Sequence, residues 1–266
     1  MLFRSDALVR QAAKLVPSAD TPGESVLARL ERAAGDRELF GSLGGGSDHV
    51  AFVCRHGVPS VAVSAGGSQG TSYHSNYDTV SWYRATVGPD YGPAAMVTRL
   101  ALAIAGLGSQ TELPPWRFAP FARANIRHLD ELISRTADPA LRAHLERLRP
   151  GFAELLTRGE SIDGRLDQPA SLAAAQSQRI RLGMTRFMQS FIDSAGLSGR
   201  PWFQSLLAAS DRHDGYAACM LPLVTEAAQD GDEARLAAAV DRMLQAQRRA
   251  LDSIRMMEIG AESPLP

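Results

Sequence analysis

Apolar and polar positions divide the chain into a mixed first half and a helical second half. Ala7 to Leu15 and Ser25 to Ala34 carry apolar residues at helical spacing, and Gly92 to Leu107 is apolar almost all round, so three helices are predicted there. Between them, a glycine loop at Gly41 to Gly46 leads to Ser47 or Asp48. Either residue suits the cap of a helix running through Val50, Phe52 and Val53 to about His56, where Gly57 ends it. Pro59 then introduces Ser60-Val61-Ala62-Val63-Ser64, a compact β-branched run that predicts a strand buried in a sheet. A Gly- and Ser-rich loop follows, from Ala65 to Ser72.

Three prolines and Trp116 between Glu112 and Pro120 interrupt the helical pattern and mark a boundary. Beyond it four long helices are predicted, at about Phe121 to Arg135, Pro139 to Arg158, Pro169 to Ser194 and Asp232 to Met257. In the last, Leu236, Val240, Met243, Leu244, Leu251 and Ile254 share one face, which must pack. The expected architecture is an α/β portion over residues 1–115 followed by an all-α antiparallel bundle over 116–266, with one irregular insertion from Gly196 to Leu221.

Composition adds exclusions. Apolar residues make up 45% and charged residues 21%, a balance that supports a packed core. A net charge of -1 offers no footprint for nucleic acid or an anionic membrane, and no apolar run reaches the roughly 20 residues of a membrane helix. The start, MLFRSD, lacks the apolar segment and cleavage site of a secretory signal. Cys54 and Cys219 lie too far apart in sequence to read as a CxxC pair and give no compartment. Lys14 is the only lysine.

The chemistry concentrates in Leu43 to Trp82, LGGGSDHVAFVCRHGVPSVAVSAGGSQGTSYHSNYDTVSW. Ligand sites in α/β sheets sit beyond the C-terminal ends of strands, and His74 follows the predicted strand. Neutral imidazole suits zinc, but a zinc site needs at least three protein ligands, and none of the other histidines forms an HxxxH or HxH pair with His74.

GGGSDHVAFVCRHGVPSV followed by YHSNYDT resembles the closing segment of the catalytic domain in M28-type zinc peptidases of the glutamate carboxypeptidase II and transferrin receptor branch. GLSGRPWFQSLLAASDRHDGYAACMLPLVTEA, from Gly196 to Ala227, resembles an insertion in the helical dimerisation domain of the same branch. The resemblance implies that residues 1–115 are an incomplete α/β peptidase portion and 116–266 a dimerisation domain that forms a homodimer. It makes His74 a ligand to one of two zinc ions and places Tyr73 in a peptide-substrate cleft. It sets Gly45, Gly46 and Ser47 in a substrate-facing loop anchored by Asp48, and gives Tyr216 the substrate's C-terminal carboxylate.

Two departures weaken glutamate selectivity. Gly215 stands where glutamate-preferring members have a lysine, and Ala62 and Ser64 stand where they have paired arginines. Charge-assisted hydrogen bonds are roughly twice as strong as neutral ones, so a less acidic preference is expected. The family's HxD pair, adjacent glutamates and further aspartate ligand precede the matched segment, and the roughly forty residues before the glycine loop leave no place for them. The chain alone is therefore expected to bind zinc weakly and to hydrolyse nothing, with the first half loosened by a sheet short of strands. A non-enzymatic dimerisation module of the transferrin receptor type is the alternative.

Overall fold

The structure, a computed structural model, describes residues 6–35, 39–66, 72–167 and 173–258. It divides into two compact units that do not follow chain order: residues 42–61 join the chain from 112 onward, and residues 5–41 and 62–111 form the other unit.

The first unit is a helical bundle. After a π-helical turn at Ala51–Arg55 come α5 (Phe118–Arg135), α6 (Pro139–Glu146), α7 (Arg149–Leu166), α8 (Ala174–Gln189), α9 (Pro222–Gln229) and α10 (Glu233–Glu258). The helices numbered α1 to α4 belong to the second unit. Helix α7 packs on α5, and α10 packs on both α7 and α8. Phe187 of α8 sits at the centre, edge-on to Phe118 and Phe121 at 4.9 and 5.1 Å between centroids, an arrangement that aligns ring edges with π faces. All six apolar residues predicted to share a face of α10 lie on the core, Leu244 only partly buried.

One helix caps another. Arg117 offers α5 no side-chain cap, and the carboxylate of Asp163 on α7 accepts hydrogen bonds from the Phe118 and Ala119 N–H groups at 2.9 and 2.8 Å instead. These are orphan donors that any helix start must satisfy. Burial pushes the Asp163 carboxyl above the ordinary carboxylate range, against the pull of those donors. At the same crossing a Cβ on Gly159 would stand 2.9 Å from the Phe118 Cβ, so only glycine admits this approach.

The second unit holds α1 (Asp6–Leu15), α2 (Val26–Ala34), α3 (Val80–Val87) and α4 (Gly92–Ser109). Ser25 caps α2 and Thr79 caps α3 through their side-chain oxygens. Its core is small: Ala13, Val16 and Val26, with Leu27, Leu30, Met96, Leu100 and Ala103 partly buried around them. Helix α4 has the length and composition of a membrane span, which the sequence reading did not anticipate, yet Met96, Leu100 and Ala103 pack within the unit.

Several expectations change. No strand forms at Ser60–Ser64; among the described residues the only strands are β1 (Ala208–Ser210) and β2 (Ala218–Met220), an antiparallel pair inside the 196–221 insertion. A strand exists only through the neighbours that pair its backbone, and Ser60–Ser64 has none here. The helix predicted after Ser47 or Asp48 forms over residues 49–56 and ends at Gly57, φ +64°, as expected, but its middle, Ala51–Arg55, is a π-helical turn and it has no side-chain cap; the Val50 N–H donates to the Ser47 carbonyl. The single helix predicted over Pro139 to Arg158 breaks at Arg147–Leu148, because Pro150 has no N–H for the Glu146 carbonyl and its ring crowds that oxygen. The start of the helix predicted at Pro169 lies outside the described residues, as does most of the Ala65–Ser72 loop.

Candidate functional site

Two motifs more than 160 positions apart meet in the first unit. Pairing of Ala208 with Met220 and Ser210 with Ala218 leaves residues 211–217 as the hairpin connection. Its aspartates shape it. Asp211 accepts from the N–H groups of His213 (2.8 Å) and Asp214 (3.2 Å), and Asp214 accepts from those of Tyr216 (2.7 Å) and Ala217 (2.9 Å). Short acceptor side chains of this kind replace backbone partners in turns. The His213 and Asp214 donors hold the Asp211 carboxyl below its ordinary range. Gly215, at φ +72°, turns the chain where a Cβ would be strained, and presents Tyr216 to solvent.

The glycine loop lies along this hairpin. A Cβ on Gly44 would stand 2.6 Å from that of Ala218; one on Gly45 would meet the carbonyl oxygens of Ala217 and Tyr216 at 2.5 and 2.6 Å. Gly46, at φ +80°, approaches the Tyr216 carbonyl, with the Tyr216 ring edge 3.7 Å from the position a Cβ would take. The loop is therefore glycine because the Tyr216 backbone occupies the side-chain space. Ser47 and Asp48 beyond it are exposed.

Buried groups tie the loop down on both sides. The Cys54 thiol donates to the Gly44 carbonyl at 3.0 Å, and the Cys54 carbonyl accepts from the N–H groups of Gln204 and Ser205 at 2.9 Å each. Ser42 Oγ lies 2.9 Å from Nε2 of His128 on α5. Burial lowers the pKa of His49, which is also bonded to the Gly45 backbone. On the far side of the hairpin, Arg200 donates to the Ser210 carbonyl at 2.8 Å, pairs with buried Glu226 of α9 and lies over the Phe203 ring at 4.7 Å. Neither His49 nor Arg200 stood out in sequence; Arg200 is the arginine of the GRPWF stretch, read only as part of the family resemblance. A cleft of about 560 Å³ opens between the end of α5 and this hairpin, lined by His128, Arg135, Asp138, Asp211, Cys219 and Gln229 among others. Charges of both signs line it, so it favours no simple ion.

Tyr73 and His74 belong to the second unit. They sit in a turn closed by the Ser75 N–H and Oγ on the Ser72 carbonyl (2.9 and 2.6 Å), and both side chains are exposed. Their rings stack at 3.8 Å, and His74 takes a left-handed backbone, φ +59°, uncommon for a residue with a Cβ. The predicted site residues thus form two groups, Gly45 and Gly46 with Tyr216 in one unit and Tyr73 with His74 in the other.

Zinc asks for more than is present. Among the described residues no three His, Cys, Asp or Glu side chains are grouped to hold a metal, so these residues alone do not fit a zinc centre. His128-Leu129-Asp130 spells HxD but lies within α5, where positions two apart do not share a face. Asp130 there pairs with Arg149 at 2.7 Å.

Comparison with known proteins gives the class first. Residues 145–255, from the end of α6 to near the end of α10, match the transferrin receptor-like dimerisation domain family. The chain is also similar to a probable glutamate carboxypeptidase of Arabidopsis thaliana, LAMP1, with 25% identity over 223 residues. That match covers 84% of this chain and 32% of the plant protein, so the chain spans about a third of its relative's length. The two matches agree with each other and with the resemblance carried by the sequence motifs: a dimerisation-domain family over the helical part, and similarity to a carboxypeptidase over most of the chain.

Proposed function

We infer that this chain supplies the dimerisation bundle and one wall of the substrate cleft of a zinc-dependent exopeptidase. The observation behind this reading is the packing of Gly44, Gly45 and Gly46 against the backbone of Tyr216–Ala218. Two stretches that resemble the branch's substrate-facing motifs, one from each end of the chain, lie against each other and leave Tyr216 exposed.

In this reading residues 1–115 derive from the peptidase's α/β portion and 116–266 form the dimerisation domain. Tyr216 donates its phenol to a peptide's C-terminal carboxylate, and Gly45, Gly46 and Ser47 bring backbone N–H groups and a hydroxyl to the same ligand. Tyr73 borders the cleft, and His74 is one zinc ligand whose companions belong to polypeptide beyond this segment. With Gly215, Ala62 and Ser64 in place of cations, the preference is for a neutral C-terminal residue. The chain alone hydrolyses nothing.

The test is co-expression of this chain with the unmatched portion of the Arabidopsis relative, followed by assay of N-acetylated dipeptides with neutral and acidic C-terminal residues. Zinc-dependent release of the C-terminal residue, with KM raised by Tyr216→Phe, is expected. A folded, zinc-loaded complex without hydrolysis would sink the peptidase reading.

The second reading, a non-enzymatic dimerisation module, is favoured by the match over residues 145–255. Both readings expect a homodimer through the helical unit, and light scattering that returns a monomer at micromolar concentration contradicts both on that point.

A further inference from the structure

The connection that carries Tyr216 buries no side chain of its own. Asp211 and Arg212 are half-buried, and residues His213 to Ala217 are exposed. A segment with so little apolar burial keeps one position only through polar bonds to something firmer. What those bonds reach is therefore informative.

Three fastenings hold the hairpin, and all three lead to α9. The first is Arg200, which donates to the Ser210 carbonyl at the end of β1 (2.8 Å) and pairs with Glu226 of α9, a residue only 3% exposed. The second is Arg212, within the connection. Both of its Nη groups donate to Asp230, at 2.9 and 2.5 Å, the bidentate arrangement in which guanidinium and carboxylate bind most strongly. Asp230 closes the C-terminal end of α9 and also pairs with Arg235 of α10, whose guanidinium lies 4.0 Å from Glu226. Three arginines and two carboxylates thus form one ladder. The third fastening is Leu221, the joint between β2 and α9, which is fully buried at φ +49°, a left-handed backbone that a bulky side chain seldom takes. Its N–H donates to the Leu207 carbonyl at 3.0 Å. Strain of this kind persists only where the surroundings over-determine it.

We propose that α9 is the platform that sets the place of Tyr216, with Asp230 and Glu226 as positioning residues that hold the hairpin by charge. Both limbs of the hairpin and the connection between them end on this one short helix, so the phenol is presented by α9 as much as by its own loop. Hydrogen bonds from Arg212 keep the Asp230 carboxyl below its ordinary range, so the pair is charged at neutral pH. The Arg212 and Asp230 side chains are 25% and 29% exposed, and ion pairs as open as this add little to global stability. Their effect is local, on the connection. The proposal rests on the peptidase reading for what the phenol meets and not for how the phenol is held.

The experiment is amide hydrogen exchange on the full chain, with Asp230→Asn as the variant. Glu226 is left in place, because losing a buried anion between two arginines weakens the whole fold. In the wild type the Asp211 and Gly215 amides are protected by the carbonyls of Ala217 (2.8 Å) and Asp211 (3.1 Å). In Asp230→Asn they exchange about tenfold faster, while amides in the middle of α10 stay within about twofold of their wild-type rate. Asp230→Glu keeps the charge and both acceptor oxygens, and restores protection. In chain labelled with 3-fluorotyrosine, the Tyr216 resonance, assigned by its loss in Tyr216→Phe, shifts or broadens in Asp230→Asn and returns in Asp230→Glu. Unchanged hairpin exchange in Asp230→Asn overturns the proposal. So does faster exchange shared equally by α10, the mark of a merely structural role, or a failure of Asp230→Glu to restore the wild-type rate. A hairpin that responds as expected, in an assembled enzyme that hydrolyses nothing, leaves the positioning role standing while the peptidase reading falls; an unaltered hairpin in an active assembly does the reverse.

Discussion

Gly45→Ala puts the packing of the glycine loop on the hairpin to the test. The added methyl would stand 2.5 Å from the Ala217 carbonyl oxygen and 2.6 Å from that of Tyr216, where ordinary carbon–oxygen contact begins near 3.4 Å. Relief requires a shift of roughly 1 Å between two backbones, and overpacking of this size costs typically 1–3 kcal/mol. The opposing atoms are main-chain oxygens, so no rotamer change removes the clash, and Tyr216→Ala in the same molecule does not rescue it. Gly41→Ala is the matched control. Nothing lies within 4 Å of its Cβ position and its φ is not positive, so the change is neutral or stabilises by about 0.4–1 kcal/mol through the unfolded chain. Urea unfolding followed by circular dichroism, which reads the helices of both units, gives the difference. Gly45→Ala as stable as wild type, or no worse than Gly41→Ala, refutes the packing on which the candidate site is built.

Arg179 of α8 is almost wholly buried, and its Nε and Nη1 have no hydrogen-bond partner. Arg179→Met should raise stability by about 1–4 kcal/mol in chemical denaturation, since an apolar isostere removes an uncompensated buried charge. Asp163 has its pKa raised by burial, so the native state holds its proton more tightly than the unfolded chain. Its contribution to stability therefore falls as pH rises from the ordinary carboxylate value through the raised one, and is level above. Unfolding of wild type against Asp163→Asn over a pH series should show that slope in the difference, and a difference that grows in favour of wild type with pH contradicts it. With no cluster of three ligands among the described residues, a chelator should leave the melting temperature of the isolated chain within about 1 °C, because a structural metal would couple directly to folding.

Where periodicity was long, the fold was legible. The α10 face follows from residue spacing, since burial of an amphipathic stripe is decided within the stripe itself. Helix α4 follows instead from a nearly continuous apolar run, and none of its residues is buried. The break before α7 was equally written in Pro150, although a reading for apolar spacing passes over it. The strand at Ser60–Ser64 could not be settled locally, because a strand is a property of its partner as much as of its residues. The site divides in the same way. Gly45, Gly46 and Tyr216 were named in sequence, but that the glycines exist to admit the Tyr216 backbone appears only once the hairpin is folded against them. His49 and Arg200 carry no spacing signal of their own, and their roles come from burial and from partners far along the chain.

The two thiols give the molecule a practical neutrality. Burial pushes both Cys54 and Cys219 up to about 12, so at physiological pH neither presents the thiolate that oxidants, disulfides and maleimides attack. Reducing and oxidising surroundings should leave the fold equally intact. A single cysteine introduced on the surface would then react alone, so a spectroscopic probe can be placed without removing either native residue.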